Sequence, residues 1–382
     1  MKFVLAFDSF KGSITSAEAA DAASSGIKSV LPDAHVESIS MADGGEGLVS
    51  SIYNMLRGKR IKTTVNSPLM TPVTAEWLLL NDNTAVIEMA AASGLTLVPD
   101  SLKNPMNTTT YGTGELIKAA IEHGSRNIIV GIGGSATNDC GMGMAAALGV
   151  QFLDEQGSLL EPIGRNMEKV SVIDLSHSLL NTYPHVKISV ACDVTNPLYG
   201  PQGAAYIYAP QKGASSKDVE DLDKGLRNMA RVIMQQTGID INIPGAGAAG
   251  GLGAGFIAFA GGKLQPGIEL ILDLANFDAM IADADYIFTG EGKTDGQTLS
   301  GKVPMGIGLR AKKAGVPVIC VSGCVEPSAL QLREHGITAL FSIANGPISL
   351  EDSIQNAAEL LRIQAENITA LIAAAHNGKP LQ

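Results

Sequence analysis

The feature that most restricts the fold is an alternation of strand-like and helix-like stretches, present at both ends of the 382-residue chain and absent from its middle. Lys2–Phe7 is a short, β-rich apolar run, and Thr15-x-x-Glu18 is a capping box that predicts a helix to about Val30. A strand over residues 36–41 and a helix ending near Leu56 complete a β-α-β-α start. From Asp285 the alternation resumes: strand to Thr289, helix 304–314, strand 316–321, helix 327–334, strand 338–343 and a final helix 350–374. In between, residues 60–65, 73–80 and 85–89 read as a meander, the last two strands joined across Asn81, Asp82 and Asn83. The economical arrangement is an α/β protein in which residues 1–60 and 284–382 form one doubly wound domain. Residues 61–283 form a second α/β domain inserted into it, and the cleft between the two is the expected site.

Within the middle segment, a helix over 113–123 closed by Gly124, strands over 150–153 and 187–192, and an amphipathic helix over 218–237 ended by Gly238 are expected. Its most distinctive stretch is Gly131 to Gly143, G-I-G-G-S-A-T-N-D-C-G-M-G, between a strand-like run over 127–132 and a helix-like run over 144–148. Five glycines there permit positive φ and close approach of the backbone to a ligand, while Ser135, Thr137, Asn138 and Asp139 add polar groups. Amides at a loop entering a helix favour an anion, so Gly133, Gly134, Ser135 and Thr137 are expected to bind phosphate or substrate oxygens. A merely structural turn is the competing reading.

A net charge of −11 and a pI near 5.0 argue against nucleic-acid partners and against attachment to anionic lipid, since both require a basic face. Cys140, Cys192, Cys320 and Cys324 show neither zinc spacing nor a redox C-x-x-C, and read as reduced thiols of a cytoplasmic protein. The five apolar residues before Asp8 are too few for a signal-peptide core. The uncharged run over 241–262 is long enough to span a membrane, but its eight glycines, Asn242 and Pro244 make a poor helix, and no membrane partner is expected. Small molecules are the expected partners; a homodimer is compatible with the sequence.

Ligands of parallel α/β sheets bind beyond the C-terminal strand ends. Carboxylates recur there: Asp8, Asp43, Asp193, and Glu291 with Asp295. Each alone reads more readily as a helix cap or solvated turn. Together, beside Gly-rich loops, they suit Mg²⁺ and polyphosphate chemistry, in which oxygen ligands hold a hard cation and one base accepts the proton of an attacking hydroxyl. Lys11, Lys212, Lys293 and Lys302 supply loop cations able to neutralise phosphoryl or carboxylate oxygens. Glu291 and Asp295 are the expected metal ligands, Asp193 the expected general base, with Asp8 and Asp43 next and Lys11 beside them. Ser9, Gly44, Gly45, Asn196, Gly247, Gly250, Gly251, Lys293 and Lys302 complete the expected phosphate- or substrate-binding set. Gly292-Lys293-Thr294 is not a P-loop, because Ile287 stands where its first glycine belongs. Gly131-x-Gly133-x-x-Ala136 with Asp154 downstream fits a relaxed dinucleotide fingerprint, so a nicotinamide enzyme stays as an alternative, as does a non-catalytic sensor of an anionic metabolite.

The residues also carry a family resemblance. A-F-D-S-F-K-G-S (6–13), A-D-G-G-E-G (42–47), E-M-A-A-A-S-G-L (88–95), G-I-G-G-S-A-T-N-D (131–139), A-C-D-V-T-N-P-L (191–198), G-A-G-A-A-G-G-L-G (245–253) and T-G-E-G-K-T-D-G-Q-T (289–298) closely resemble blocks of the bacterial type I glycerate kinases. The resemblance spans nearly the whole chain. It implies ATP-dependent phosphorylation of D-glycerate, with 2-phosphoglycerate as the expected product. It also implies a flavodoxin-like domain carrying an inserted, restriction-endonuclease-like α/β domain with a mixed sheet. Two positions depart from the family pattern: Phe7 replaces a usual proline, and Cys140 replaces a usual glycine, with the consequence of an oxidisable thiol if solvent reaches it.

Overall fold

The computed structural model describes residues 1–39, 41 and 47–376; Asp43, Gly44 and Gly45 lie outside the described residues. Along the chain, β1 (Lys2–Phe7) and β2 (His35–Ser38) precede the meander β3 (Lys59–Asn66), β4 (Pro72–Leu79) and β5 (Thr84–Glu88). Then come β6 (Asn127–Gly131), a small hairpin of β7 (Gln151–Leu153) and β8 (Val172–Asp174), β9 (Lys187–Ala191) and β10 (Lys263–Gln265). The C-terminal part supplies β11 (Tyr286–Gly290), the two-residue β12 (Lys293–Thr294), β13 (Val318–Ser322), the two-residue β14 (Cys324–Val325) and β15 (Ile337–Ser342). The chain divides into two compact units, residues 1–43 with 268–382, and residues 44–267.

In the terminal unit all five main strands are parallel, in the order β15-β13-β11-β1-β2. The continuous apolar run of β1 is what a parallel strand covered on both faces requires, and Phe3 to Phe7 are fully buried. The helix Ser16–Val30 opens with the expected capping box between Thr15 and Glu18. It packs on the helix Ala357–His376 so closely that a Cβ on Gly26 would strike the Arg362 carbonyl. Phe7 joins Phe3, Leu5, Phe10, Ile27, Phe288 and Leu361 in this core, each contributing about 1.5–3 kcal/mol by leaving water. The expected final helix is two, Leu350–Gln355 and Ala357–His376, with Asn356 between them.

The inserted unit holds a six-stranded mixed sheet, β10-β9-β6-β5-β4-β3, parallel from β10 to β5 and antiparallel through the meander. The division falls at residue 43 rather than near 60 because the helix Leu48–Leu56 packs on β4 and β5. Its first amides, those of Gly47 and Leu48, donate to Glu88 at the end of β5 (2.6 and 2.9 Å). The helix Ser216–Thr237 begins at a Ser215–Asp218 capping box and stops at Gly238 in the left-handed region.

The glycine-rich run does form a helix, Ala248–Ala260, although composition argues against one. Its first turn is interrupted by left-handed backbone at Ala249, Gly250 and Gly251, and the regular part is buried. Among the described residues no helix is long and apolar enough to cross a membrane. The glycines are there for contact: a Cβ on Gly247 would collide with the Pro197 carbonyl, and one on Gly250 with the Thr137 carbonyl. Gly250 also has a φ of 70°. Gly250→Ala combines both penalties and is expected to lower Tm by about 5 °C or more. A Tm within about 1 °C of the wild type would show that the two backbones separate at little cost.

Candidate active site

In the terminal unit, β1 and β11 are neighbours with Phe7 opposite Gly290, and the Asp8 amide donates to the Gly290 carbonyl (2.9 Å). Asp8 and Glu291 therefore leave adjacent strand ends side by side. They do so where the sheet order reverses, β2 lying on one side of β1 and β11 on the other, which is the place where open α/β sheets bind ligands. Asp8 accepts from the Ser9 amide (2.7 Å) and is 7% exposed. Glu291 is 5% exposed, accepts from the Thr298 hydroxyl (2.6 Å) and lies 3.5 Å from the Lys302 ammonium. Burial pushes its carboxyl above the ordinary value, against the pull of the Thr298 hydroxyl and the Lys302 charge.

Around this pair lies a cavity of about 540 Å³, lined on its polar side by Asp8, Ser9, Lys11, Glu291, Lys293 and Lys302. The loop after β11 is held in place by β12 pairing with β14 and by the Gly323 amide donating to the Glu291 carbonyl (3.1 Å). Lys293 pairs with Glu326 (2.7 Å) and lies 3.5 Å from Asp295. Asp295 does not line the cavity; it accepts from the Gln297 amide (2.9 Å), which holds its carboxyl below the ordinary value. The expected Glu291–Asp295 pair is thus not a preformed metal cluster. Among the described residues no three of His, Cys, Asp and Glu are grouped to hold a metal. The oxygen donors that face the cavity are Asp8 and Glu291, a set that suits a hard cation completed by phosphate oxygens and water.

The Gly-rich loop of the inserted unit is organised inward. Asp139 is fully buried and accepts from the Thr110 amide and hydroxyl (both 2.8 Å) and from the Gly141 and Gly143 amides (both 3.1 Å). Burial pushes this carboxyl up while those donors hold it down. The amides expected to receive a ligand at the start of the helix Met142–Ala147 are therefore occupied by the loop's own carboxylate. Because that helix begins only at Met142, Gly131-x-Gly133-x-x-Ala136 does not open a helix and lacks the geometry of a dinucleotide fingerprint.

Beneath the loop, Lys212 is 2% exposed and donates to the Ser135 hydroxyl (2.6 Å) and the Thr137 carbonyl (2.7 Å). Gly133 and Gly134 are exposed, with Gly134 at φ 73°. Thr137 is fully buried; its carbonyl accepts from Lys212, and its hydroxyl has no hydrogen-bond partner among the described residues. Gly247, Gly250 and Gly251 are likewise buried packing glycines. Asn196 donates to the Gln202 carbonyl (2.8 Å) and accepts from the Tyr208 hydroxyl (2.5 Å), which assigns its amide to holding the loop after β9. Asp193, at the end of β9, is exposed and accepts from the Gly267 amide (2.8 Å). Cys140 adopts left-handed backbone (φ 53°) with a fully buried thiol that burial pushes up, so the expected exposure to oxidation does not arise. Thr298 lies in the 289–298 block without a role of its own, and no motif announces Thr110.

Carboxylates and lysines converging beyond the ends of parallel strands are the equipment of an α/β enzyme acting on a small phosphate-bearing molecule. The sequence model of the Glycerate kinase family matches residues 3–373. A glycerate kinase of Halalkalibacterium halodurans is 48% identical over 96% of this chain and 97% of its own length. The glycerate 2-kinase of Escherichia coli strain K12 is 42% identical over 98% of each chain. A crystal structure from Salmonella typhimurium LT2, 42% identical, superposes with a TM-score of 0.84 over 99% of this chain and 100% of that one. The chain belongs to the glycerate kinase family.

Lys212 makes a pH prediction. Burial lowers its ammonium to about 7, with Asp139 opposing, against an ordinary value near 10.4. A lysine depressed in the folded state is released from its buried charge as pH rises through about 7, while the unfolded chain keeps its proton until about 10. Stability measured by Tm should therefore rise between about pH 7 and 9 more steeply in the wild type than in Lys212→Met. Parallel Tm–pH curves would show that the lysine is not buried as a titrating group.

Proposed function

We propose that the protein transfers the γ-phosphoryl group of ATP to the 2-hydroxyl of D-glycerate, giving 2-phosphoglycerate, with Mg²⁺ as the accompanying cation. The single observation that carries phosphoryl transfer is the convergence of Asp8, Glu291, Lys11 and Lys302 on one cavity at the reversal of the parallel sheet. The names of relatives matched over nearly their whole length support the acid substrate, and one of them, a glycerate 2-kinase, supports the 2-position. In the terminal unit's own numbering the strand order is 2-1-3-4-5, which supports a flavodoxin-like reading. The mixed sheet of the inserted unit is in keeping with a restriction-endonuclease-like domain.

Each role follows from placement. Lys11 and Lys302 neutralise phosphoryl oxygens. Gly133 and Gly134 are the part of the Gly-rich loop left open to a substrate anion, with the buried Ser135 next to them, and Lys212 fixes the loop from below through Ser135 and Thr137. Glu291 and Asp8 are the carboxylates that would hold Mg²⁺, and Asp295 would act on it through water. The ion supplies charge neutralisation across the phosphates. Asp193 accepts the hydroxyl proton: its bond from the Gly267 amide fixes one carboxylate oxygen, and a loose transition state asks of a base little beyond orientation and late proton acceptance.

Incubation with Mg-ATP and D-glycerate, followed by phosphorus NMR, is expected to show 2-phosphoglycerate. A 3-phosphoglycerate signal would correct the position, and no phosphoglycerate at all would remove the function. In the same assay Asp193→Asn should lose turnover by roughly 10²-fold while retaining affinity for both substrates. Near-normal turnover would remove the base role from Asp193.

A further inference from the structure

The lining of the terminal unit's cavity combines two chemistries: Lys11, Lys293 and Lys302 with the Asp8–Glu291 pair, and the apolar side chains of Ile343, Leu350, Ile354 and Ala357. The apolar part is built rather than incidental. Ile343 is 1% exposed and tied to β13 by its amide donating to the Ser322 carbonyl (2.9 Å). The Ser13 hydroxyl donates to the Ile354 carbonyl (2.6 Å), fastening the helix Leu350–Gln355 to the loop that carries Lys11. Yet Leu350 is 77% and Ile354 37% exposed, so apolar side chains are held at the cavity with part of their surface in water. A short acid oxygenated at every carbon has no apolar surface to cover them. A purine nucleoside triphosphate has both parts, a flat apolar ring and a chain of anionic oxygens. The volume of about 540 Å³ is within the ~300–1,000 Å³ of small-molecule sites.

We propose that this cavity is the nucleotide site, with the purine against Ile343, Leu350, Ile354 and Ala357 and the polyphosphate running toward Lys11, Lys293 and Lys302. The assignment rests on the phosphoryl-transfer reading above and adds to it which part of the chain holds the phosphoryl donor. A ring laid on exposed Ile354 and Leu350 gains affinity by excluding water from them. A carboxylate placed there repels the phosphates and leaves the purine facing a charge.

The test is calorimetric titration of ATP, with Mg²⁺ present, into the wild type, Ile354→Asp and Leu350→Asp, with the Michaelis constant for glycerate measured on the same proteins. Both positions are exposed, so both variants should keep the wild-type Tm. The expected result is a rise in the ATP dissociation constant of roughly tenfold or more in each variant, with the glycerate constant within about twofold of the wild type. ATP affinity unchanged in both variants, in a wild type that does phosphorylate glycerate, would overturn the site assignment and leave the kinase reading standing. A raised glycerate constant at unchanged ATP affinity would overturn it too, giving the cavity to the acid. A wild type that neither binds ATP nor transfers phosphate would remove the kinase reading itself, and the assignment with it.

Discussion

The parallel pairing of β1 with β11 is the constraint on which the terminal unit depends. It joins residues far apart in the chain: the Thr289 hydroxyl donates to the Ala6 carbonyl across 283 positions. Closing so large a loop costs entropy that local structure cannot recover, and the return comes from burying Phe3, Leu5, Phe7 and Phe288 in one core. The same register places Asp8 against Glu291, since each follows immediately on its strand. Folding the terminal unit and assembling the acidic centre of its cavity are thus one event. Burial of Glu291 raises the cost of its charge, and Thr298 and Lys302 offset that cost on the protein's side.

The inserted unit solves a different problem with a similar device. A loop of many glycines has little to restrain it, and here the restraint is an internal anion. Asp139 gathers backbone and hydroxyl donors from Thr110, Gly141 and Gly143, while Lys212 ties Ser135 and Thr137 from below. Gly250 and Gly251 then bring the backbone of the next glycine run against Thr137, Asn138 and Cys140. What is left facing outward is short, Gly133 and Gly134. Preorganisation of this kind would lower the cost of binding at the proposed anion site, because the loop is already ordered.

Much of this was legible in the sequence, and the illegible part has physical reasons. The apolar run of β1, the capping boxes at Thr15 and Ser215 and the αL glycine at 238 are local signals, and local signals suffice to place those elements. Acids and lysines in loops after the strands pointed to Asp8, Lys11, Glu291 and Lys302, which line the cavity, because strand direction alone determines at which end of the sheet such loops gather. The direction a loop side chain takes has no such rule. Asp139 turning into its own loop, Asn196 bonding Gln202 and Tyr208, and Lys212 buried where a lysine is ordinarily solvated all depend on long-range packing. The glycines of the 247–251 stretch read as ligand contacts because a close approach to a carbonyl of the same chain demands the same missing Cβ as a close approach to a phosphate. The apolar lining of the cavity went unread because Leu350 and Ile354 resemble any amphipathic helix until the fold shows what they leave uncovered.

Asp8 and Glu291, placed together by the β1–β11 register, are proposed to act as one unit in phosphoryl transfer. A double-mutant cycle on kcat/KM with Asp8→Asn and Glu291→Gln tests it most directly, with Tm measured on each variant. Each single change is expected to lower kcat/KM by at least about tenfold, and the double variant to lose much less than the product of the two. Wild-type kcat/KM in either folded single variant, or losses that simply multiply, would contradict it.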